Sequence, residues 1–156
     1  MTLKKLDHEI QTRMRYLGDP AARIALFIIF FWFGILKPLG LSAAETLVLK
    51  TVDWMPLFTA PQWLAIIGWW EMLIGIFFLF RKTTRIAIVL LFLQMGGTFL
   101  PLFMLPDITF QPGGVPLLPT LEGQYIIKNL IVIAAALVIG GNLNAGRRGE
   151  SAAAVS

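Results

Sequence analysis

Each of four apolar stretches in the sequence carries a polar side chain that is unfavourable inside a lipid bilayer. Lys37 ends the first stretch, Glu71 lies in the second, Gln94 in the third, and Lys128 with Asn129 in the fourth. Counted at about 1.5 Å per residue, all of them fall in the middle to outer half of a bilayer. An ionisable residue there costs about 2.5–3.5 kcal/mol and usually has a partner. We expect Glu71 to pair with Lys37 or Lys128, with the two amides completing the hydrogen bonds.

Such a cluster is compatible with three kinds of role. It can bind the polar head of a lipid-like ligand such as a quinone, or Glu71 can donate or accept a proton in a membrane enzyme or small transporter. It can also be a structural contact that fixes helix register, with the lysines extending to the headgroups. Trp70 lies too deep for an interfacial aromatic belt and either lines a pocket or fills the bundle. The candidate catalytic residue is Glu71, and the candidate ligand-binding residues are Lys37, Trp70, Glu71, Gln94, Lys128 and Asn129.

Several classes of site are excluded by residue types alone. The chain has no cysteine, and its one histidine, His8, lies in the polar N-terminal segment. Thiol chemistry, an iron–sulfur cluster, a bis-histidine haem and a multi-histidine zinc site therefore cannot be built in this chain. We predict no metal site and no cofactor held by the chain itself other than a quinone or lipid.

The composition predicts an all-α, four-helix transmembrane bundle. Hydrophobic residues make up 57% of the chain and charged residues 14%, with a mean hydropathy of +0.76, against about 45–50% and 25% in soluble domains. Helical spans are expected at about residues 20–37, 61–80, 85–105 and 121–140, within one membrane domain over residues 19–141. Gly68 with Gly75, and Ala136 with Gly140, are placed to let neighbouring helices approach closely.

The segments outside the spans have weaker patterns. Over residues 1–18, apolar residues at helical spacing (Leu3, Leu6, Ile10, Met14 and Leu17) predict an amphipathic helix on the membrane surface or against the bundle. Gly18 should end it, and Asp19-Pro20 should start the first span. A short interfacial or re-entrant helix is expected over residues 43–55, where Ser42 and Glu45 form a capping pattern. Residues 106–119 have no strong helix signal, and residues 142–156 are expected to be a disordered tail.

The distribution of charge predicts the orientation of the chain. Ten of the thirteen Lys and Arg residues lie on one side of the predicted spans, which the positive-inside rule assigns to the cytoplasm. Both chain ends are therefore expected on the cytoplasmic side of the plasma membrane. No basic face with interleaved aromatic residues is present, so nucleic-acid binding is not expected.

Three segments resemble the DoxX-like membrane proteins, most closely the YkgB/RclC type. They read FWFGILKPLGLSAAE, GWWEMLIGIFFLFRKTTRIA and GQYIIKNLIVIAAAL, and the resemblance covers roughly residues 20–141. The elements of the family map onto Phe33, Gly34, Lys37, Glu71, Gly123, Tyr125, Lys128 and Asn129. The resemblance implies a bacterial inner-membrane bundle linked to membrane redox or oxidative-stress defence. Relatives include a subunit of thiosulfate:quinone oxidoreductase, and the RclC branch is associated with reactive chlorine resistance.

These observations lead to a hypothesis and two alternatives. The chain is expected to be an accessory subunit that binds a quinone or lipid and supports redox stress protection. The alternatives are a membrane enzyme or small transporter that uses Glu71 for proton transfer, and a scaffold for a redox partner. The expected partners are the lipid bilayer, a soluble or membrane-bound redox protein, and a second copy of the chain.

Overall fold

The computed structural model describes residues 3–112 and 118–143, and its regular structure is almost entirely helical. The helices, in chain order, are α1 (Leu3–Leu36), α2 (Glu45–Val52), α3 (Ala60–Leu79), α4 (Thr84–Phe99), α5 (Pro101–Met104), α6 (Pro106–Thr109) and α7 (Leu121–Asn142). Four elements are long and apolar enough to cross a membrane: α1, α3, α4 together with α5, and α7. The predicted four-helix transmembrane architecture is confirmed.

The four long helices form a closed ring. α1 contacts α3, α3 contacts α4, α4 contacts α7, and α7 returns to α1. Apolar side chains from all four fill the centre: Leu26, Phe30, Ile74, Phe78, Ala87, Leu91, Met95, Val132, Ala136 and Ile139. Only 22–33% of the most apolar window of each long helix is buried inside the protein. The remaining apolar surface faces outward, an arrangement that lipid stabilises and water does not.

Helices α1 and α3 pack through three glycines, Gly34, Gly68 and Gly75, which we term the glycine seam. A Cβ atom added to Gly34 would lie 2.8 Å from the Gly68 carbonyl oxygen, and one added to Gly68 would lie 2.6 Å from the Gly34 oxygen. A Cβ on Gly75 would lie 3.0 Å from the Phe31 backbone nitrogen. Membrane helices associate through this kind of close backbone approach, since moving apolar surface from lipid into a helix interface adds little stability. The expected roles of Gly68 and Gly75 are confirmed, and Gly34 is their partner.

The first helix differs from the prediction. A single helix of 34 residues runs from Leu3 to Leu36 with Pro20 inside it, so the predicted helix end at Gly18 is wrong. Asp19 does not cap a new helix, because its carboxylate accepts a hydrogen bond from Arg23 Nε one turn later, at 2.7 Å. The helix continues through Pro20 although proline removes one backbone hydrogen bond, the one that the Tyr16 carbonyl would accept.

Three shorter helices lie at the end of the bundle where α1 finishes. α2 lies within the predicted interfacial segment over residues 43–55 and packs against α3 and α5. The capping pattern predicted for Ser42 and Glu45 does not form, since the residue before α2 is Ala44 and no side chain caps the helix. The single turn α5 follows α4 directly, so the predicted third span over residues 85–105 is interrupted only at Leu100.

The segment before α7 contains a helix that was not predicted. The single turn α6 is followed by an isolated antiparallel bridge between Phe110 and Pro119. The Thr120 hydroxyl donates to the Ile108 carbonyl oxygen at 2.6 Å and accepts from the Gly123 backbone nitrogen at 3.2 Å. Thr120 therefore caps α7 and ties α6 to it. The predicted disordered tail over residues 142–156 is wrong at its start, because Asn142 belongs to α7 and Leu143 is its C-cap. Residues 144–156 lie outside the described residues.

The glycine seam predicts a large difference between two Gly→Ala substitutions. Gly68→Ala forces a methyl group against the Gly34 carbonyl and should destabilise the bundle by about 1–3 kcal/mol. Gly96→Ala in α4 is the matched control, because its added Cβ meets nothing within 4 Å and should stabilise the helix by up to about 1 kcal/mol. Steric trapping in bicelles measures both free energies of unfolding. Equal effects of the two substitutions would contradict close packing at Gly68.

Candidate intramembrane polar site

Lys37 and Glu71 form an ion pair within the membrane-spanning region. The Lys37 ammonium donates to Glu71 Oε2, and the side chains are only 7% and 14% exposed. Side chains on a helix tilt toward its N-terminus, and α1 and α3 run in opposite directions. Lys37, directly after α1, therefore extends back toward the middle of the bundle, while Glu71 extends toward the end where Lys37 lies. The two charges converge, and Lys37 does not extend to the headgroups.

The glycine seam makes room for this pair. A Cβ on Gly34 would lie 3.0 Å from Glu71 Cβ, and a Cβ on Gly68 would lie 2.9 Å from Lys37 Cβ. Each charged residue thus packs over the glycine of the opposite helix. The spacing is the same on both helices, because Lys37 follows Gly34 by three residues and Glu71 follows Gly68 by three. Larger residues at either glycine would push the two side chains apart.

Helix α4 joins the pair through two adjacent residues of α3. Gln94 Nε2 donates to Glu71 Oε1 at 3.0 Å, and Trp70 Nε1 donates to the Leu90 carbonyl oxygen at 3.2 Å. Leu90 and Gln94 are one helical turn apart on α4. The expected contacts of Lys37, Glu71 and Gln94 are confirmed. Trp70 packs against the core and holds α4 in place, and its neighbour Trp69 is 58% exposed on the outer surface.

The ion pair is hydrogen-bonded within the protein, but the polar site is not completely buried. Both Glu71 oxygens accept hydrogen bonds, and the Lys37 ammonium also donates to the Phe33 carbonyl at 3.5 Å. None of the described residues donates to Gln94 Oε1. Glu71 and Gln94 are partly exposed at the bundle surface. The Glu71 carboxylate and the Gln94 amide are therefore within reach of a molecule that approaches from the lipid, while the Lys37 side chain is buried.

Helix α7 does not contribute to this site, so the predicted contribution of Lys128 and Asn129 is wrong. The Lys128 side chain is exposed, and its ammonium lies 5.2 Å from the centre of the Tyr125 ring. Asn129 Nδ2 donates to carbonyl oxygens of its own helix, those of Tyr125 at 3.1 Å and Ile126 at 3.3 Å. α7 packs against α1 and α4, across the ring from α3, which carries Glu71, and Lys128 lies on the exposed face of α7.

A second buried charge, Arg23, lies inside the predicted first span and was not among the predicted site residues. Arg23 is 5% exposed and pairs with Asp19. Its Nη1 donates to the Phe78 carbonyl at 3.1 Å and to Thr84 Oγ1 at 2.6 Å. The guanidinium thus joins α1 to the end of α3 and the start of α4. An acidic residue four positions before the arginine on one helix was the available sequence signal.

Comparison with known proteins yields no relative for this chain. No protein-family model, no curated protein and no solved structure matches it.

Within residues 3–112 and 118–143, no group of three or more His, Asp or Glu side chains is arranged to hold a metal ion. Lys37, Glu71 and Gln94 are instead suited to hydrogen bonding with an uncharged polar group.

The ion pair predicts non-additive effects on stability. Lys37→Met leaves a buried carboxylate without its cation, and Glu71→Leu leaves the ammonium without its anion. Each should destabilise the bundle by about 3–5 kcal/mol, whereas the double variant should lie within about 1 kcal/mol of the wild type. The measurement is a double-mutant cycle of unfolding free energies in bicelles.

The exposed Lys128 provides the matched control for that cycle. Lys128→Met removes an ammonium group from the membrane-spanning region without touching the pair and should change stability by less than about 0.5 kcal/mol. If the double variant instead lost the sum of the two single effects, Lys37 and Glu71 would not interact.

Proposed function

We propose that this chain is an accessory membrane subunit that binds the head of a quinone or similar lipid at Lys37, Glu71 and Gln94. The observation that carries the proposal is a charged pair inside a spanning region, of which the Glu71 carboxylate, together with the Gln94 amide bonded to it, is partly exposed. Ionisable residues are unfavourable in that environment and are commonly functional where they occur. Membrane redox or oxidative-stress defence in a bacterial plasma membrane is the role we assign to the subunit.

The hydrogen-bonding groups of the site match both redox forms of a quinone. A quinone carbonyl accepts hydrogen bonds, and the Lys37 ammonium and the Gln94 amide nitrogen are donors. A quinol hydroxyl donates, and the Glu71 carboxylate and Gln94 Oε1 are acceptors. Entry would be lateral, from the half of the bilayer nearest α2, since Lys37 lies toward that end of the bundle.

The resemblance to DoxX-like proteins also supports a redox context. The segments that carry the resemblance include Lys37 and Glu71, the two residues that form the buried pair. The chain has no cysteine and one histidine, so electron transfer through the chain itself has no obvious carrier. We therefore propose that a separate redox protein reacts with the quinone and that this chain positions it.

Ligand content tests the proposal directly. The wild-type chain, extracted with its native lipids in polymer-bounded discs, should carry an isoprenoid quinone several-fold enriched over the bulk membrane. The double variant Lys37→Met/Glu71→Leu should fold but lose that enrichment, because it removes the charged groups without leaving a lone charge. Liquid chromatography with mass spectrometry measures quinone and phospholipid per protein in each sample.

Lys128→Met should retain the bound quinone at the wild-type level, because its side chain lies away from the site. A wild-type chain without enriched quinone or any single lipid would contradict ligand binding. Full enrichment in the folded double variant would contradict the location of the site. Glu71-dependent proton uptake by proteoliposomes without bound quinone would favour a transporter instead.

A further inference from the structure

The first part of α1 carries an apolar surface that nothing in the described structure covers. Arg23 bonds to Phe78 and Thr84, so the adjoining ends of α3 and α4 lie at the level of Arg23. Residues 3–18, about 24 Å of helix, lie beyond that level, and every one of them is exposed. The uncovered apolar stripe consists of Leu3, Leu6, Ile10, Met14 and Leu17, with exposures of 44–84%.

The stripe lies on the same side of α1 that faces lipid within the membrane-spanning part of the helix. Leu17, Ile24 and Ile28 follow one another at intervals of seven and four residues, so they share one face of the helix. Ile24 and Ile28 are 51% and 47% exposed within the span. The opposite face, with Arg23 and Leu26, is buried against the bundle. The stripe therefore continues the lipid-facing surface of α1 beyond the span.

A natural bending point separates the stripe from the span. Pro20 has no backbone N–H, so the Tyr16 carbonyl has no partner within the helix. A Cβ added to Gly18 would meet nothing within 4 Å, so no packing opposes movement there. Sharp helix kinks occur at proline and near glycine. A bend at residues 18–20 toward the lipid-facing side would turn the stripe toward the headgroups, whereas a bend toward the bundle would turn it away.

The charge of the segment matches an anionic surface. Lys4, Lys5 and Arg15 make no ion pair within the described part of the chain, whereas Arg13 pairs with Glu9 at 3.0 Å. The exposed Arg81 and Lys82 follow α3 at the same end of the bundle. Basic residues next to a span are attracted to anionic lipids without contacting individual phosphates.

We propose that residues 3–18 bend at Gly18–Pro20 and dock on the anionic lipid surface of the leaflet next to them. The stripe enters the headgroup region, and the basic residues provide the attraction to anionic lipid. Docking is independent of the ligand at Lys37 and Glu71, and it gives the protein a surface whose position depends on lipid charge.

Spin labelling tests the docking, and the absence of cysteine makes single labels specific. Met14→Cys places a label on the stripe, and Thr12→Cys places one on the opposite face. In nanodiscs containing phosphatidylglycerol, the Met14 label should lose several-fold of its accessibility to a water-soluble nickel chelate and gain accessibility to oxygen. The Thr12 label should remain accessible to nickel. In pure phosphatidylcholine, both labels should be accessible to nickel.

Two further variants separate the contribution of the bend to docking from that of the basic residues. Pro20→Ala restores a donor for the Tyr16 carbonyl and should keep the Met14 label in water even with phosphatidylglycerol. Lys4→Gln/Lys5→Gln/Arg15→Gln should abolish the dependence on anionic lipid without changing the thermal midpoint of the bundle. A nickel-accessible Met14 label in both lipids overturns the proposal, as does equal protection in both. Dipolar coupling between labels on two copies would assign the stripe to a second chain and would also overturn it.

Discussion

The bundle depends on the close approach of α1 and α3 at Gly34 and Gly68. Because neither residue has a side chain, each leaves room for the charged residue of the opposite helix, Lys37 over Gly68 and Glu71 over Gly34. Neither charge would be tolerated alone at this depth, since lipid supplies no hydrogen bonds to an isolated ammonium or carboxylate. The glycines and the charges are therefore one structural unit. Loss of the close approach would separate the pair.

Helix α3 also makes polar contacts that position α4 and a second level of α1. Through Trp70 and Glu71 it holds α4 at Leu90 and Gln94, and its Phe78 carbonyl accepts a hydrogen bond from the guanidinium of Arg23. Polar contacts thus fix the relative positions of α1, α3 and α4 at two levels, with an apolar core between them. Apolar packing in lipid gives little preference for one helix register over another. Two separated polar contacts between the same helices determine both register and rotation.

Much of the fold follows from the sequence, because the length of an apolar run and the placement of Lys and Arg are direct consequences of the bilayer. The pairing of Glu71 with Lys37 and Gln94 was also predictable, because buried charges require partners. The predictions that failed concern the direction in which α7 side chains point and the local backbone at Pro20. The height of Lys128 in the membrane could be counted from the sequence, but the face of α7 that meets the bundle could not. Pro20 indicated a helix start, yet the helix runs through it from Leu3 to Leu36.

The direct measurement is the distance between the Lys37 ammonium and the Glu71 carboxyl in a lipid bilayer. Nitrogen–carbon dipolar recoupling by solid-state NMR, on protein labelled at lysine Nζ and glutamate carboxyl carbons, reports that contact. A strong coupling corresponding to an ion pair within about 4 Å, lost in Glu71→Gln, is the predicted result. A Lys37 ammonium with no coupled carboxyl carbon in the folded protein would contradict it.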